Sequence, residues 1–276
     1  MNTKSAVKKS ITVPKKVLEI PNVEKKNHEV WTPGRDLFDF PKPYRWLITG
    51  APNSGKTSLI LNHLLHCNAP QSKSKFDKIF LLHPRNFTPG VSDDQLEKNE
   101  GVIVSNPDLP PEYEGVECIH LAYLPSEKFW SAMNPKHRLK MLLIVDDIDL
   151  SSLVKRSLSR QRIVNKTVSY SSTHSNLSII VTSQSPSTQL PPIVLQMCNI
   201  VTLYPITDKY KVYVLATKLS IDSKLLFEYL KLLKGMHDTL TLDMTLNTPM
   251  PLRINIYEPV EVKSEEALDQ SVGSTL

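Results

Sequence analysis

The sequence predicts an α/β fold with a mostly parallel central sheet, helices on both faces and a C-terminal hairpin. Three observations predict it. Short apolar strand candidates are separated by helical patterns along most of the chain, as in strand–helix–strand units. MLLIVDDID at 141–149 is almost wholly apolar until its acids, as expected of a central strand covered on both faces. LTLDMTL at 240–246 and PLRINIY at 251–257 flank Asn247-Thr248-Pro249, a turn signal between two strands.

In chain order, the first ordered strand is YRWLIT, Tyr44–Thr49, which runs into a Gly-bounded loop. Ser58–His66 has helical spacing. Phe76–His83 reads as a second strand. Residues 84–115 are rich in Pro, Asp, Glu and Asn, and read as long loops around a short strand at Val102–Ser105. Val116–Leu121 is a further strand candidate and Pro125–Met133 a helix candidate. After the 141–149 strand, residues 151–171 read as helical in part, and Leu177–Gln184 as the next central strand. Pro191–Met197 is a short helix candidate, followed by a strand at Ile200–Tyr204. Asp222–Lys234 carries the strongest late helical signal, with Asp222 at its start and Gly235 at its stop.

These elements divide the chain into three parts. Residues 1–43 form a basic, largely flexible arm, whose first 16 residues hold five Lys and no acid. Trp31 and Phe38–Phe40 within it suggest an apolar anchor against the core. Residues 44–257 form the folded domain. Residues 258–276, with five acids and one Lys, form an acidic flexible tail.

Composition excludes several classes. The 276 residues suffice for one substantial core, and 40% hydrophobic against 22% charged residues argues against wholesale disorder. Cys67, Cys118 and Cys198 are too few and too far apart for a disulfide scaffold or a zinc knuckle, and read as small buried hydrophobes. The eight His show no metal-ligand spacing. The N-terminus lacks the apolar core of a secretion signal, and no apolar run approaches 18 residues, so no membrane span is expected. A net charge of +5 points to an anionic partner.

GAPNSGKT, Gly50–Thr57, matches the phosphate-binding loop G-x-x-x-x-G-K-[ST] in full, with a strand before it and a helix after it. Gly50, Ala51, Pro52, Asn53, Ser54, Gly55, Lys56, Thr57 and Ser58 are the expected ATP-binding residues. Two glycines allow tight turning, so backbone amides and the helix N-terminus form an anion nest. Lys56 is placed to reach the β- and γ-phosphates, and the Thr57 hydroxyl to ligate Mg²⁺. Asp146 and Asp147 end the apolar strand. A buried carboxylate needs compensation, which a Mg²⁺–phosphate complex supplies. Asp146 is therefore assigned to Mg²⁺ and Asp147 to polarising the attacking water. Either acid has an alternative as a helix cap, and Asp149 competes for that role. Gln184 is assigned as a polar sensor of the γ-phosphate, with Thr182 and Ser183 as competitors, since alternation decides which side chain faces the nucleotide. That assignment expects strand 177–184 to lie between the loop strand and the Asp146 strand.

From Ser151 through Thr207 there is no acid, and Lys155, Arg156, Arg160, Arg162 and Lys166 fall within 16 residues of Leu150. Arg156 and Arg160 are four apart, the spacing of one helical face. Two roles suit them: contact with a nucleic-acid backbone, or an arginine supplied in trans to a neighbour's γ-phosphate. Nothing in the sequence suggests a base-reading helix or a zinc finger.

With these residues in view, the chain resembles the DNA-packaging ATPases of eukaryotic DNA viruses, typified by the poxvirus packaging ATPase, within the FtsK–HerA superfamily. The matching pieces are YRWLITGAPNSGKTSLIL, MLLIVDDID, THSNLSIIVTSQSPSTQLPP and CNIVTLYP, in that order, over roughly residues 44–205. The resemblance implies a RecA-like (ASCE) P-loop NTPase core. It implies a Mg²⁺-dependent ATPase that moves double-stranded DNA into a preformed capsid as a ring or other homo-oligomer, beside a capsid or portal-vertex protein. The implied location is the virion or the host-cell assembly site. Carried over by motif, Lys56 and Thr57 serve ATP and Mg²⁺, Asp146 is the Walker B acid, Asp147 the catalytic acid and Gln184 the sensor. Many relatives have Arg immediately before the His–x–Asn element; here that position is Thr173, which turns attention to Arg156 or Arg160. Two other functions fit the same residues: a helicase or replication-associated ATPase, and a nucleotide-binding scaffold or virion protein with little hydrolysis.

Overall fold

The structure is a computed structural model that describes residues 40, 43–67, 75–245, 248, 251–256 and 258–260. Expectations for Trp31, Phe38, the basic start of the chain, Asn247, Pro249 and the tail beyond 260 lie outside the described residues.

Among the described residues the sheet has nine strands: β1 (Arg45–Thr49), β2 (Lys78–Leu82), β3 (Ile119–His120), β4 (Met141–Val145), β5 (Leu177–Ser183), β6 (Ile200–Leu203), β7 (Leu240–Asp243), β8 (Leu252–Ile254) and β9 (Glu258–Pro259). They run in the order β3-β2-β4-β5-β1-β6-β7-β8-β9. The six from β3 to β6 are parallel, and β7, β8 and β9 follow antiparallel. Strand β5 lies between β1 and β4, as the sensor assignment requires. This is the RecA-like arrangement of a P-loop sheet.

Alternation sorts the central strands onto two cores. Trp46, Ile48, Leu142, Ile144, Ile180 and Ile200 pack on one face. Leu47, Leu143, Val145, Ile179, Val181 and Val201 pack on the other. Every residue of β4 and of β5 is buried, which explains why their sequences carry no polar alternation.

The helices are α1 (Lys56–Cys67), α2 (Asp93–Lys98), α3 (Glu127–Met133), α4 (Leu150–Val154), α5 (Leu158–Lys166), α6 (Ser172–His174), α7 (Pro186–Gln189), α8 (Pro192–Met197), α9 (Lys209–Leu219) and α10 (Ser223–Leu230). Helix α1 covers the Trp46 face through Ile60, His63, Leu64 and Cys67, spaced i, i+3, i+4, i+7. His63 is a core histidine there, bonded to Tyr44 Oη at 2.6 Å. Buried side chains from α2, α3, α4, α5, α8, α9 and α10 pack on the opposite face. A π-helical turn at Thr167–Ser171 joins α5 to α6.

Several elements differ from the sequence reading. Helix α2 falls in a region read as loop, although Ser92 and Gln95 form a complete capping box. Helix α9 was not expected at all. Its Tyr, Val and Thr content favours strands, yet Val212, Leu215, Ala216 and Leu219 make a helical stripe behind the N-cap Asp208. The expected strand at 102–105 is a single bridge between Ile103 and Leu121. The hairpin at 240–257 forms as β7 and β8, but the domain does not stop at 257, because Glu258 and Pro259 pair with Ile254 and Arg253. At the other end, Phe40 is buried against Tyr44 and Trp46, with the Arg253 guanidinium 5.5 Å from its ring centre. The packed body thus begins before Tyr44. Asp243 holds Arg253 at 2.7 Å beneath it, both nearly fully buried.

Candidate nucleotide-binding site

Register brings the site together. Val145 pairs with Val181, and Val181 with Leu47. One residue further along, Asp146, Thr182 and Ile48 stand level, and the loop of Gly50–Lys56 springs from the same carboxyl edge of the sheet. Ligands of open parallel sheets gather at this edge.

The loop leaves β1 as Gly50 donates its amide to Ser183 O at 3.3 Å, and turns where Ser54 N meets Ala51 O at 3.3 Å. Asn53 and Gly55 take left-handed backbone angles, φ 59° and 104°. Asn tolerates that region better than most side chains, so only one of the two positions needs Gly. Gly50 is required for a different reason. A Cβ there would sit 2.7 Å from both Ser54 Oγ and Tyr204 Cβ. Tyr204 leaves the end of β6 and lies against both glycines of the loop; a Cβ on Gly55 would lie 3.3 Å from its hydroxyl. Burial pushes the Tyr204 phenol up to about 12. His237, from the segment before β7, places Nδ1 2.9 Å from Ser54 O. Neither Tyr204 nor His237 stood out in the sequence. The signal for Tyr204 was its place directly after a strand that adjoins β1.

Lys56 is buried, and its ammonium donates to Gly50 O at 3.1 Å and Ala51 O at 2.9 Å. Burial lowers its pKa, and the nearby Asp147 and Asp146 charges oppose that shift. Thr57 and Ser58 follow on the first turn of α1, half-buried and exposed respectively.

Asp146 is buried, with a donor on each carboxylate oxygen. Thr182 Oγ1 donates to Oδ1 at 2.6 Å, and Tyr113 Oη to Oδ2 at 2.9 Å. A carboxylate has about four acceptor positions, so positions remain on each oxygen. Burial first, then the Asp146 charge and hydrogen bond, hold the Tyr113 phenol well above the usual tyrosine range, which keeps it a donor. Tyr113 lies on a 3₁₀ turn, Pro111–Tyr113. No local signal in its Pro- and Glu-rich sequence separates it from the loop around it.

Asp147 has φ 55°, and its amide donates to Thr182 Oγ1 at 2.9 Å. Gln184 Nε2 donates to Asp147 Oδ2 at 2.6 Å. The assigned sensor and the assigned catalytic acid therefore touch. Thr182, weighed as Gln184's competitor, serves both acids instead. Asp149 caps α4 by accepting Ser152 N at 2.9 Å, so the cap role falls to it and not to Asp146 or Asp147. Among the described residues, Ser54 Oγ and Asp147 Oδ1 are buried without a hydrogen-bond partner. Two such polar atoms, one in the loop and one on a carboxylate whose charge opposes the Lys56 shift, fit a site built for a charged, oxygen-rich ligand and a hard cation.

In the basic stretch the structure differs from the sequence reading. Arg156 and Arg160 do not share a helical face, because Lys155 ends α4 and Ser157 caps α5 between them. Arg156 donates to Pro89 O at 3.1 Å, and Arg160 to Val91 O. Both guanidiniums anchor the 89–91 segment of their own chain. Lys166 pairs with Glu127 at 2.8 Å. Arg162 remains exposed.

No protein-family model matches the chain, and no curated protein matches it. Solved structures do. The genome-packaging NTPase B204 of Sulfolobus turreted icosahedral virus 2, in complex with sulfate, is 16% identical over 79% of this chain and 98% of that one, with a TM-score of 0.49. The conjugation coupling protein TcpA of pCW3 is 13% identical over 83% of this chain and 65% of that one, with a TM-score of 0.43. The N-terminal domain of zonular occludens toxin from Neisseria meningitidis is 13% identical over 80% and 96%, with a TM-score of 0.39. Among the described residues no helix is long and apolar enough to cross a membrane, and no group of three or more His, Cys, Asp or Glu is gathered as a metal site.

Proposed function

We propose that the chain is a Mg²⁺-dependent ATPase whose hydrolysis drives double-stranded DNA into a viral capsid. One observation carries the ATPase half: a complete phosphate-binding loop and two strand-end acids stand on one sheet edge, with a polar strand end between them. The packaging half is supported by the ordered motifs of residues 44–205 that resemble viral packaging ATPases.

In this reading the amides of residues 50–57 and Lys56 hold the phosphates of ATP. Thr57 and Asp146 would hold Mg²⁺, which when bound neutralises phosphate charge and orients the γ-phosphoryl group. Asp147 accepts a proton from, and aligns, the attacking water. Gln184, bonded to Asp147, senses the γ-phosphate and restrains the acid. Within one chain Arg156 and Arg160 give no support to an arginine supplied in trans, since both are engaged with the 89–91 carbonyls.

Phosphate release measured against DNA and protein concentration tests the reading. The expected result is ATP hydrolysis that rises with duplex DNA, depends on Mg²⁺ and disappears in Lys56→Ala. Correctly folded protein without affinity for ATP would refute the ATPase half. ATP hydrolysis indifferent to DNA and to protein concentration would refute the packaging half.

A further inference from the structure

The Asp146 carboxylate already takes a hydroxyl from Thr182 on the neighbouring strand, and a residue from a distant loop reaches it as well. Tyr113 lies 33 positions earlier, on the connection between β2 and β3. Its ring is 2% exposed and packs edge-on to His83, at 6.2 Å between centres, beyond the end of β2. Its hydroxyl donates to Asp146 Oδ2, while Thr182 donates to Oδ1.

We propose that Tyr113 is a positioning residue for the metal-binding carboxylate, and that it ties the turn at 111–117 to the state of the nucleotide site. The inference rests on the ATPase reading above. A lone Asp side chain rotates about two bonds. With one donor fixed on each oxygen, the carboxylate plane of Asp146 is set before any ligand arrives, and the remaining acceptor positions are presented in a defined direction. The donors come from independent elements. Thr182 is part of the sheet, whereas Tyr113 belongs to a short 3₁₀ turn held by its amide on Pro110 O at 2.9 Å and by the Val116 amide on Tyr113 O at 3.0 Å. A cation that draws on Oδ2 therefore pulls on the hydroxyl of a loop residue. The same turn carries the exposed carboxylates Glu112, Glu114 and Glu117, so a shift of Tyr113 moves an acidic surface.

Tyr113→Phe keeps the buried ring and deletes only the hydroxyl. Mn²⁺ would serve as the cation and AMPPCP as the nucleotide, with free Mn²⁺ read by electron paramagnetic resonance. Removing a group that orients a metal-binding carboxylate typically weakens metal affinity about 10–100-fold, which is the loss expected here. AMPPCP affinity in EDTA should stay unchanged. A wild-type chain that binds AMPPCP, together with a Tyr113→Phe variant of equal Mn²⁺ affinity, overturns this inference alone. A wild-type chain that fails to bind AMPPCP overturns the ATPase reading first. Hydrogen exchange on the wild-type chain covers the case in which the variant does not fold. The Tyr113, Glu114 and Val116 amides should exchange more slowly with Mn²⁺ and AMPPCP than with AMPPCP in EDTA, and identical rates overturn the coupling.

Discussion

Thr182 donates its hydroxyl hydrogen to Asp146 Oδ1 at 2.6 Å, and its own Oγ1 accepts the Asp147 amide at 2.9 Å. A single hydroxyl on β5 thus orders both acids at the end of β4. Thr182→Val preserves the branched shape and removes both bonds. Mg²⁺-supported ATP turnover should fall about 10–100-fold. Leaving a buried amide unpaired should also cost about 1–3 kcal/mol in urea unfolding.

Asp147→Asn tests the division of labour between the acids. The amide keeps the size of the side chain and its contact distance to Gln184, but no longer accepts a proton. Fluorescent ATP should bind as in the wild type, while single-turnover phosphate release drops about 10²–10⁴-fold. Equal losses in binding and turnover would place Asp147 in nucleotide holding instead.

Gly50 should be intolerant of a side chain, since a Cβ would meet Ser54 Oγ and Tyr204 Cβ at 2.7 Å. Gly50→Ala should destabilise the chain by about 1–3 kcal/mol in urea unfolding and weaken nucleotide binding. Gly90→Ala is the matched control, because nothing lies within 4 Å of a Cβ there, and its midpoint should be unchanged.

Stability should fall on mild acidification. Burial lowers the pKa of His83, outweighing the Asp146 and Glu112 charges, and burial with His83 as neighbour lowers that of His120. An unfolded His titrates near about 6.5, so below that pH the unfolded chain takes up protons the folded chain refuses. The contribution is neutral above this range and turns unfavourable as pH drops from about 6.5 toward the lower folded values. Thermal midpoints from pH 7.5 to pH 5.5 should decrease, and His83→Gln should flatten that decrease.

The central layer was legible because its sequences have one solution. MLLIV is apolar on both faces and LSIIVTS adds only small hydroxyl residues to its apolar run, and both strands are buried throughout. The loop at 50–57 was legible because its motif is a run of consecutive residues between a strand and a helix. What escaped was set by contacts far apart in the chain. Tyr113 and His237 reach the site from 33 and 183 residues away from their partners, and no local pattern marks them. Arg156 and Arg160 misled for a related reason. Their spacing of four fits one helix, but the Ser157 cap, itself readable, restarts the helix between them.

The left-handed backbone at Asp147 bears on which acid the position can carry. Short side chains that can bond to the neighbouring main chain occupy such a bend more readily than longer ones. Aspartate here is thus a choice imposed by local chain curvature, and lengthening it by one carbon would strain the peptide before it extended the reach of the carboxylate.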